Sequence, residues 1–222
     1  MDNRIVIFAG HFGSGKTEIA LNYAINTARS GKKVTIVDLD IVNTYFRTKD
    51  AERQLSAEGV RLIAGEFANT NLDMPTVSSD VLSVFEDREA VVVFDVGGDK
   101  DGAFALGMYK RFFEREGYTM YFVVNQRRPL TETAEDMLLY MAEVEYASRL
   151  KIFALINNTN LAKETTADIV LVANGEVEKA AKAHGVDVEY IAAAKQLAQE
   201  LRNDLKQKIF ELDLYLERRF LV

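Results

Sequence analysis

Two kinds of apolar pattern alternate along the chain. Short continuous apolar runs are typical of strands that are buried on both faces of a parallel sheet. Between them lie longer segments whose apolar residues recur every three or four positions, the spacing that predicts a helix. The runs, and hence the predicted strands, lie at 4–9, 33–38, 60–63, 90–96, 119–125, 151–156 and 187–191. This alternation predicts an α/β fold with a single doubly wound, mostly parallel sheet and helices on both of its faces.

Helices are predicted at 17–30, 76–87, 103–117, 131–147 and 166–184, although Asn174-Gly175 interrupts the last of these. Gly31 is expected to follow the first helix as its C-terminal cap, and Thr131 to open an approximate capping box. The longest predicted helix runs from about 192 to 218, on the apolar positions Leu197, Leu201, Leu205, Ile209, Leu212 and Leu216. We find no repeat, linker or domain boundary, so residues 1–222 are predicted to form one domain with a long C-terminal helix from about residue 192.

The first predicted strand runs directly into the sequence GHFGSGKT at residues 10–17. This sequence matches G-x-x-x-x-G-K-[ST], the Walker A motif or P-loop. Glycines let the backbone wrap closely, so that N–H groups point inward at phosphate oxygens, and the following helix adds the positive end of its dipole. The Lys16 ammonium is expected to reach the β- and γ-phosphates, and the Thr17 hydroxyl to ligate Mg²⁺. The predicted phosphate-binding residues are Gly10, His11, Gly13, Ser14, Gly15, Lys16 and Thr17.

Polar residues stand where other predicted strands end. Asp38 and Asp40 follow the second run, Asp95 lies near the end of the run at 90–96 and precedes a glycine pair, and Asn157 follows the run at 151–156. Four apolar residues and then Asp form the Walker B pattern, whose carboxylate binds Mg²⁺ or one of its water ligands. Ligands of open α/β sheets bind at the carboxyl ends of strands. We therefore expect these side chains and the P-loop to form one site.

Composition narrows the classes of partner. The chain has 222 residues, a formal net charge of −7 and no cysteine, which excludes disulfides, thiolate metal sites and cysteine nucleophiles. The acidic balance argues against nucleic acid as a partner, because phosphate backbones bind basic surfaces. There is no signal peptide and no apolar run long enough to span a bilayer, so a cytoplasmic location is expected and a membrane role is disfavoured.

The order of these motifs carries a family resemblance. A Walker A motif, a strand ending in Asp-x-Asp, a strand ending in Asp-x-Gly-Gly and a late strand ending in Asn together resemble the SIMIBI class of P-loop NTPases. Within that class the MinD/ParA and CobQ/CobB-like ATPases are the most similar, over roughly residues 3–195. The resemblance implies that ATP and Mg²⁺ are bound, with Thr17, Asp38 and Asp95 at the metal.

The same resemblance implies roles in catalysis and switching. Lys16, Asp40 and Asp95 would be catalytic, with Asp40 positioning or activating the attacking water. The Gly98 N–H would sense the γ-phosphate as part of a second switch, and Asn157 would read the base. From the residues alone, Asp40 could instead cap the next element, and Asn157 could be an ordinary turn residue.

Two positions depart from the family pattern. The MinD/ParA proteins carry a second lysine just after the first P-loop glycine, and this chain has His11 there. A neutral imidazole does not replace a permanent positive charge near pH 7, so the nucleotide-bound homodimer of that family is left open. The guanine signature N-K-x-D is also absent, since Asn158 follows Asn157, which favours ATP over GTP.

Three functions are compatible with these motifs. The preferred one is a Mg²⁺-dependent ATPase that hydrolyses ATP to ADP and phosphate and acts as a nucleotide-dependent switch on a protein client. The second is an ATP-dependent kinase or ligase of a small metabolite, which would need an acceptor pocket beside the P-loop. The third is a nucleotide-regulated adaptor with negligible turnover.

Overall fold

The computed structural model describes residues 3–39, 48–64, 78–202 and 207–216. Its strands are β1 (Ile5–Ala9), β2 (Val34–Leu39), β3 (Arg61–Ala64), β4 (Val91–Val96), β5 (Thr119–Val124), β6 (Ala154–Asn157), β7 (Asp187–Ala194) and β8 (Lys208–Leu212). Its α-helices are α1 (Lys16–Arg29), α2 (Thr48–Ala57), α3 (Ser79–Glu86), α4 (Lys100–Met108), α5 (Lys110–Glu116), α6 (Ala134–Ser148), α7 (Ala167–His184) and α8 (Lys195–Leu201). Within these ranges, no helix has both the length and the apolar character needed to cross a bilayer.

The strands form one sheet in the order β3-β2-β4-β1-β5-β6-β7-β8, and every neighbouring pair is parallel. Successive residues of β1 enter different cores, because side chains alternate across a strand. Ile7 packs in a core with α4, α6 and α7, whereas Phe8 packs in a second core with α1 and α2. The predicted doubly wound parallel sheet with helices on both faces is confirmed.

The sheet order determines which loops meet. β1 lies between β4 and β5, and β6 is next to β5. The loops that leave the carboxyl ends of these four strands are therefore neighbours at one edge of the sheet, which is where ligands of such folds bind. The P-loop is the loop that follows β1.

The long helix predicted from about residue 192 is wrong. β7 continues to Ala194, α8 ends at Leu201, and β8 extends the sheet beside β7. The segment after β8 is then bonded to α1: the Glu18 carboxylate accepts hydrogen bonds from the backbone N–H groups of Tyr215 and Leu216, at 2.6 Å and 3.1 Å. These contacts join residues almost 200 positions apart, and local periodicity carries no information about them.

Smaller differences concern helix ends. The predicted helix at 103–117 is two helices, α4 and α5, that meet at Tyr109. The capping box of α6 is formed by Thr133 and Asp136, not at Thr131. Asn174-Gly175 does not interrupt α7, which continues to His184.

Candidate nucleotide-binding site

The loop between β1 and α1 has the backbone of a phosphate-binding loop. Gly10, Gly13 and Gly15 have φ angles of 145°, 76° and 87°, a region that other residues rarely adopt. A Cβ at Gly10 would lie 2.3 Å from the carbonyl oxygen of Val123, so the loop also passes too close to β5 for any side chain there. Glycine is required both for the turn and for this close approach.

Lys16 and Thr17 open α1 and are buried, at 6% and 8% exposure. The Lys16 Nζ donates a hydrogen bond to the carbonyl oxygen of His11 at 3.1 Å, so the ammonium curls back over the loop. The His11 carbonyl also accepts from the N–H of Ser14 at 3.1 Å. The ammonium is thus held within the loop, at the helix N-terminus where an anion is favoured.

Gly98, which follows β4, packs directly on the P-loop. Its carbonyl oxygen accepts a hydrogen bond from the N–H of Phe12 at 3.1 Å. A Cβ at Gly98 would lie 2.6 Å from the backbone of Phe12 and 2.9 Å from the Lys16 Nζ. The structure therefore brings the predicted second switch into contact with the predicted phosphate-binding loop.

Tyr140, on α6, is a member of this site that sequence reasoning missed. Its hydroxyl donates to the Gly98 carbonyl oxygen at 2.7 Å. Burial, together with the nearby carboxylates of Asp99 and Glu143, raises the pKa of Tyr140 to about 12. The hydroxyl is consequently a hydrogen-bond donor throughout the physiological pH range, and it connects α6 to the residue of the predicted second switch.

The His11 side chain contacts Tyr140 and lies near the charges of Lys16 and Arg128. Its ring contacts the Tyr140 ring edge-on with centroids 5.0 Å apart, and its buried Nδ1 makes no hydrogen bond with any described residue. Burial lowers the pKa of His11, and the positive charges of Lys16 and Arg128 lower it further against the raising effect of a hydrogen bond with the Phe12 backbone. A pKa below the ordinary value of 6.5 keeps the imidazole neutral near pH 7. A phosphate-binding role for His11 stays a prediction.

Asp38 and Asp95 stand opposite each other in the ladder between β2 and β4. Both are buried, at 2% and 4% exposure. Strand alternation places them on the face of the sheet that α1 covers, the same face as Phe8 and Ile36. No group of three or more His, Cys, Asp or Glu side chains forms a metal cluster among the described residues.

This donor set fits Mg²⁺. The metal prefers hard oxygen ligands and is usually bound by one or two carboxylates together with substrate phosphates and waters. Asp38, Asp95 and the Thr17 hydroxyl supply oxygen atoms of that kind, so a larger protein cage is not needed. That these three residues hold the metal stays a prediction, as does the catalytic role of Asp95.

Asn157 and Asn158 have different partners. Asn157 is fully buried, its amide nitrogen donates to the Asn174 Oδ1 at 3.1 Å, and its own Oδ1 accepts from the N–H of Thr159. The Asn158 amide nitrogen instead donates to the Ser14 carbonyl oxygen at 2.7 Å. In this structure Asn158, for which the sequence predicted no binding role, links the end of β6 to the P-loop, and Asn157 stabilises the loop behind it. Base recognition by Asn157 stays a prediction.

Asn158 also explains the last P-loop glycine. A Cβ at Gly15 would lie 2.2 Å from the Asn158 amide nitrogen. The buried Ser14 hydroxyl beside it makes no hydrogen bond with a described residue, and a buried polar group of this kind gains most from a polar ligand. Asp40, the predicted catalytic residue, lies outside the described residues.

Comparison with solved structures supports the fold. The chain aligns with the signal recognition particle receptor FtsY from Elizabethkingia anophelis at 18% identity and a TM-score of 0.51, over 84% of this chain and 57% of that one. Chloroplast FtsY from Physcomitrella patens aligns at 16% identity and a TM-score of 0.58, over 86% and 58%. A structure of FlhF complexed with GTP/Mg²⁺ aligns at 16% identity and a TM-score of 0.52, over 85% and 64%. The chain thus spans about three fifths of these structures, and at such identities the likeness concerns the fold.

Comparison with protein families is more specific. No curated protein matches the chain significantly. The model of the CobQ/CobB/MinD/ParA nucleotide-binding domain matches residues 5–208, a range that includes the P-loop, Gly98, Tyr140, Arg128 and Asn158. The predicted resemblance is confirmed, and the chain belongs to the CobQ/CobB/MinD/ParA nucleotide-binding domain family of P-loop NTPases.

Proposed function

We propose that this protein is a Mg²⁺-dependent ATPase that works as a nucleotide-dependent switch, hydrolysing ATP to ADP and phosphate. The observation that carries the proposal is the contact between Gly98 and the P-loop. The Gly98 carbonyl is bonded to Phe12, and the Lys16 ammonium lies close to the Gly98 Cα. A terminal phosphate held by Lys16 would meet this peptide, so its presence or loss would be felt there.

Each group in the site has a defined task. The inward N–H groups of the loop and the Lys16 ammonium would bind the phosphates and stabilise the charge that develops during transfer. Thr17, Asp38 and Asp95 would hold Mg²⁺, which supplies charge neutralisation at the phosphate oxygens when it is bound. Asp40 would position the attacking water.

A movement of Gly98 could be passed on to α4 and α6 through the residues that follow Gly98. Asp99, directly after Gly98, caps α4 by accepting a hydrogen bond from the N–H of Gly102 at 2.9 Å. Gly102 approaches Gly97 so closely that a Cβ would lie 2.6 Å from its carbonyl oxygen, and α4 packs on α6. A shift of Gly98 towards phosphate would therefore move the start of α4, and loss of phosphate would reverse that movement.

GTP is the second candidate substrate. The FlhF structure with the same fold is complexed with GTP/Mg²⁺, which favours GTP. The N-K-x-D signature is missing from this chain, which favours ATP. We propose ATP and expect the nucleotide preference to be measurable directly.

The test is turnover of ATP and GTP by the isolated protein with and without Mg²⁺, together with nucleotide affinity. Lys16→Ala and Asp40→Ala are the variants, and Arg88→Gln, at the opposite end of β4, is the control. We expect Mg²⁺-dependent ATP hydrolysis that both variants abolish, with Asp40→Ala still binding nucleotide. Turnover of GTP but not ATP would reassign the substrate.

Two further results would overturn the ATPase proposal. Binding without hydrolysis would favour the adaptor, or a kinase or ligase that transfers phosphate only to a metabolite. No binding of any nucleotide would refute the whole assignment. Light scattering with and without nucleotide would test whether His11 in place of lysine still permits a homodimer.

A further inference from the structure

Arg128, in the loop between β5 and α6, lies against the P-loop. Its Nε donates a hydrogen bond to the carbonyl oxygen of Gly13 at 3.2 Å. A Cβ at Gly13 would lie 3.2 Å from the same Nε, so the guanidinium lies directly on that glycine. The two residues are 115 positions apart in sequence, and no motif joins them.

The backbone that carries Arg128 is rigidly held. The Arg128 N–H donates to the Asn125 carbonyl oxygen at 3.0 Å, and the Arg128 carbonyl oxygen accepts from the N–H and the hydroxyl of Thr131 at 3.2 Å and 3.1 Å. Asn125 and Thr131 are themselves fully buried, and the Asn125 side chain is bonded to the backbone of Arg127 and Asn160. An exposed arginine is thus presented from a preorganised loop, which lowers the entropy cost of using it.

The charge of Arg128 is not matched by a carboxylate in the described part of the chain, where no ion pair involves it. Of the Arg128 side-chain nitrogens, only Nε donates a hydrogen bond within the described ranges, and the terminal amino groups of the guanidinium are donors that suit phosphate oxygens. Arg128 and Lys16 therefore bring two positive charges to one loop, at the carbonyl oxygens of Gly13 and His11.

The position of His11 indicates which phosphate Arg128 would reach. The His11 ring contacts Tyr140, whose hydroxyl is bonded to Gly98. Arg128 is close enough to His11 to contribute to the lowering of its pKa, after burial and Lys16. Gly13, to which Arg128 is bonded, lies two residues after His11, whose carbonyl oxygen holds the Lys16 ammonium. Lys16 is expected to reach the β- and γ-phosphates, so the terminal phosphate is expected near Arg128 as well.

We propose that Arg128 binds the terminal phosphate of a nucleoside triphosphate from within the same chain, with Nε anchored on Gly13 and the terminal amino groups directed at the phosphate oxygens. The proposal rests on the proposed nucleotide-binding function. Arg128 would then add a second positive charge, besides Lys16, at the phosphates of a protein whose His11 is neutral. The competing explanation is that Arg128 only supports the shape of the P-loop through the Gly13 carbonyl.

The two explanations differ in which nucleotide they affect. A loop support would act on every phosphate that the loop holds, whereas a contact with the terminal phosphate acts on triphosphates alone. The experiment measures dissociation constants of the Mg²⁺ complexes of ADP and of the β,γ-imido analogues of ATP and GTP. The proteins are the wild type, Arg128→Gln, Arg128→Lys and Arg127→Gln, each first shown to unfold at the wild-type temperature. Arg127 is the matched control, because its side chain has the same charge on the same loop and makes no hydrogen bond or ion pair with any described residue of the P-loop.

We expect Arg128→Gln to bind the triphosphate analogue about 10- to 100-fold more weakly, as for the loss of a charged hydrogen bond. Its affinity for ADP and the affinities of Arg127→Gln should change by less than about threefold, and Arg128→Lys should retain part of the triphosphate affinity. Unchanged triphosphate binding by Arg128→Gln, or equal weakening of ADP and triphosphate, would overturn the proposal and leave the proposed function intact. If the wild type binds no nucleotide, the proposed function itself fails, and this inference fails with it.

Discussion

Replacement of Gly98 by alanine tests the contact on which the proposed switch depends. The added Cβ would lie 2.6 Å from the N and Cα atoms of Phe12, which are backbone atoms that no side-chain rotation can move aside. The loop after β4 must retreat by about 0.8 Å to reach the 3.4 Å at which ordinary contacts begin. Gly98 does not have a positive φ, so backbone strain plays no part. The variant also keeps the N–H that is expected to sense phosphate.

The retreat lengthens two hydrogen bonds to the Gly98 carbonyl, one from Phe12 at 3.1 Å and one from the Tyr140 hydroxyl at 2.7 Å. Overpacking of this kind costs about 1–3 kcal/mol in free energy of unfolding. In a chain of this size that lowers the melting temperature by about 2–12 °C. Hydrolysis should fall more than nucleotide affinity does, because the displaced Gly98 N–H is expected to contact the terminal phosphate and not the rest of the nucleotide.

Gly175→Ala is the matched control. Gly175 lies within α7 and is exposed. Apart from its neighbours in the helix backbone, no described atom lies within 4 Å of the position that a Cβ would take. Alanine should therefore stabilise the helix there by about 0.5–1 kcal/mol, with unchanged hydrolysis. The measurements are calorimetric melting and steady-state phosphate release. A Gly98→Ala protein that melts within the error of the wild type and hydrolyses nucleotide normally would refute the contact between the two loops.

Three further predictions concern groups around the site. Tyr140→Phe removes the hydroxyl bonded to Gly98 and should cost about 1 kcal/mol in denaturant unfolding. Because burial raises the pKa of Tyr140 from 10.0 in the unfolded chain to about 12 in the folded protein, this difference should be constant between about pH 7 and 9 and should shrink as the pH rises from about 10 to 12. A difference that titrates between about pH 7 and 9 would contradict the assignment. Glu18→Gln removes the charged acceptor of the Tyr215 N–H, which lies at 2.6 Å. The substitution should lower the free energy of unfolding by about 1–3 kcal/mol in the same assay. Unchanged stability would mean that the segment after β8 is not held on α1. His11 has a pKa lowered by burial in the folded protein, so its contribution to stability is present above about pH 6.5 and is lost as the pH falls. The free energy of unfolding of the wild type should therefore decrease more than that of His11→Asn between about pH 7.5 and 5.5. Parallel pH profiles of the two proteins would count against a buried neutral imidazole.

The parts of the site that were predictable from sequence are those with local signatures. The P-loop glycines take conformations that other residues avoid, so their spacing reports the turn itself. Asp38 and Asp95 were recognisable because each interrupts a run of apolar residues that a buried strand requires. Such features depend on a few consecutive residues, and the structure places these residues at or near the carboxyl ends of β1, β2 and β4.

The C-terminal region shows why local patterns fail elsewhere. Apolar spacing between Leu197 and Leu216 satisfies a helix, but β8 gains backbone hydrogen bonds along β7 that a helix would forgo. The segment that follows gains bonds to α1, because Asn22 both donates to the Asp213 carbonyl oxygen and accepts from the Asp213 N–H, at 2.9 Å and 2.8 Å. Tertiary contacts of this kind override a helical spacing, and they are invisible until the sheet order is known.

The same reasoning explains contacts of the site that no motif predicts. Gly98, Arg128 and Asn158 each reach the P-loop from the end of a different strand, β4, β5 and β6, and bond to Phe12, Gly13 and Ser14 in turn. Three consecutive P-loop residues are therefore held by three separate loops. This arrangement requires β1 to lie between β4 and β5 with β6 beyond, an order that differs from the order in sequence. A change at the phosphates must then act on all three loops, so the contacts that tune this site should be sought on them and not within the Walker A motif itself.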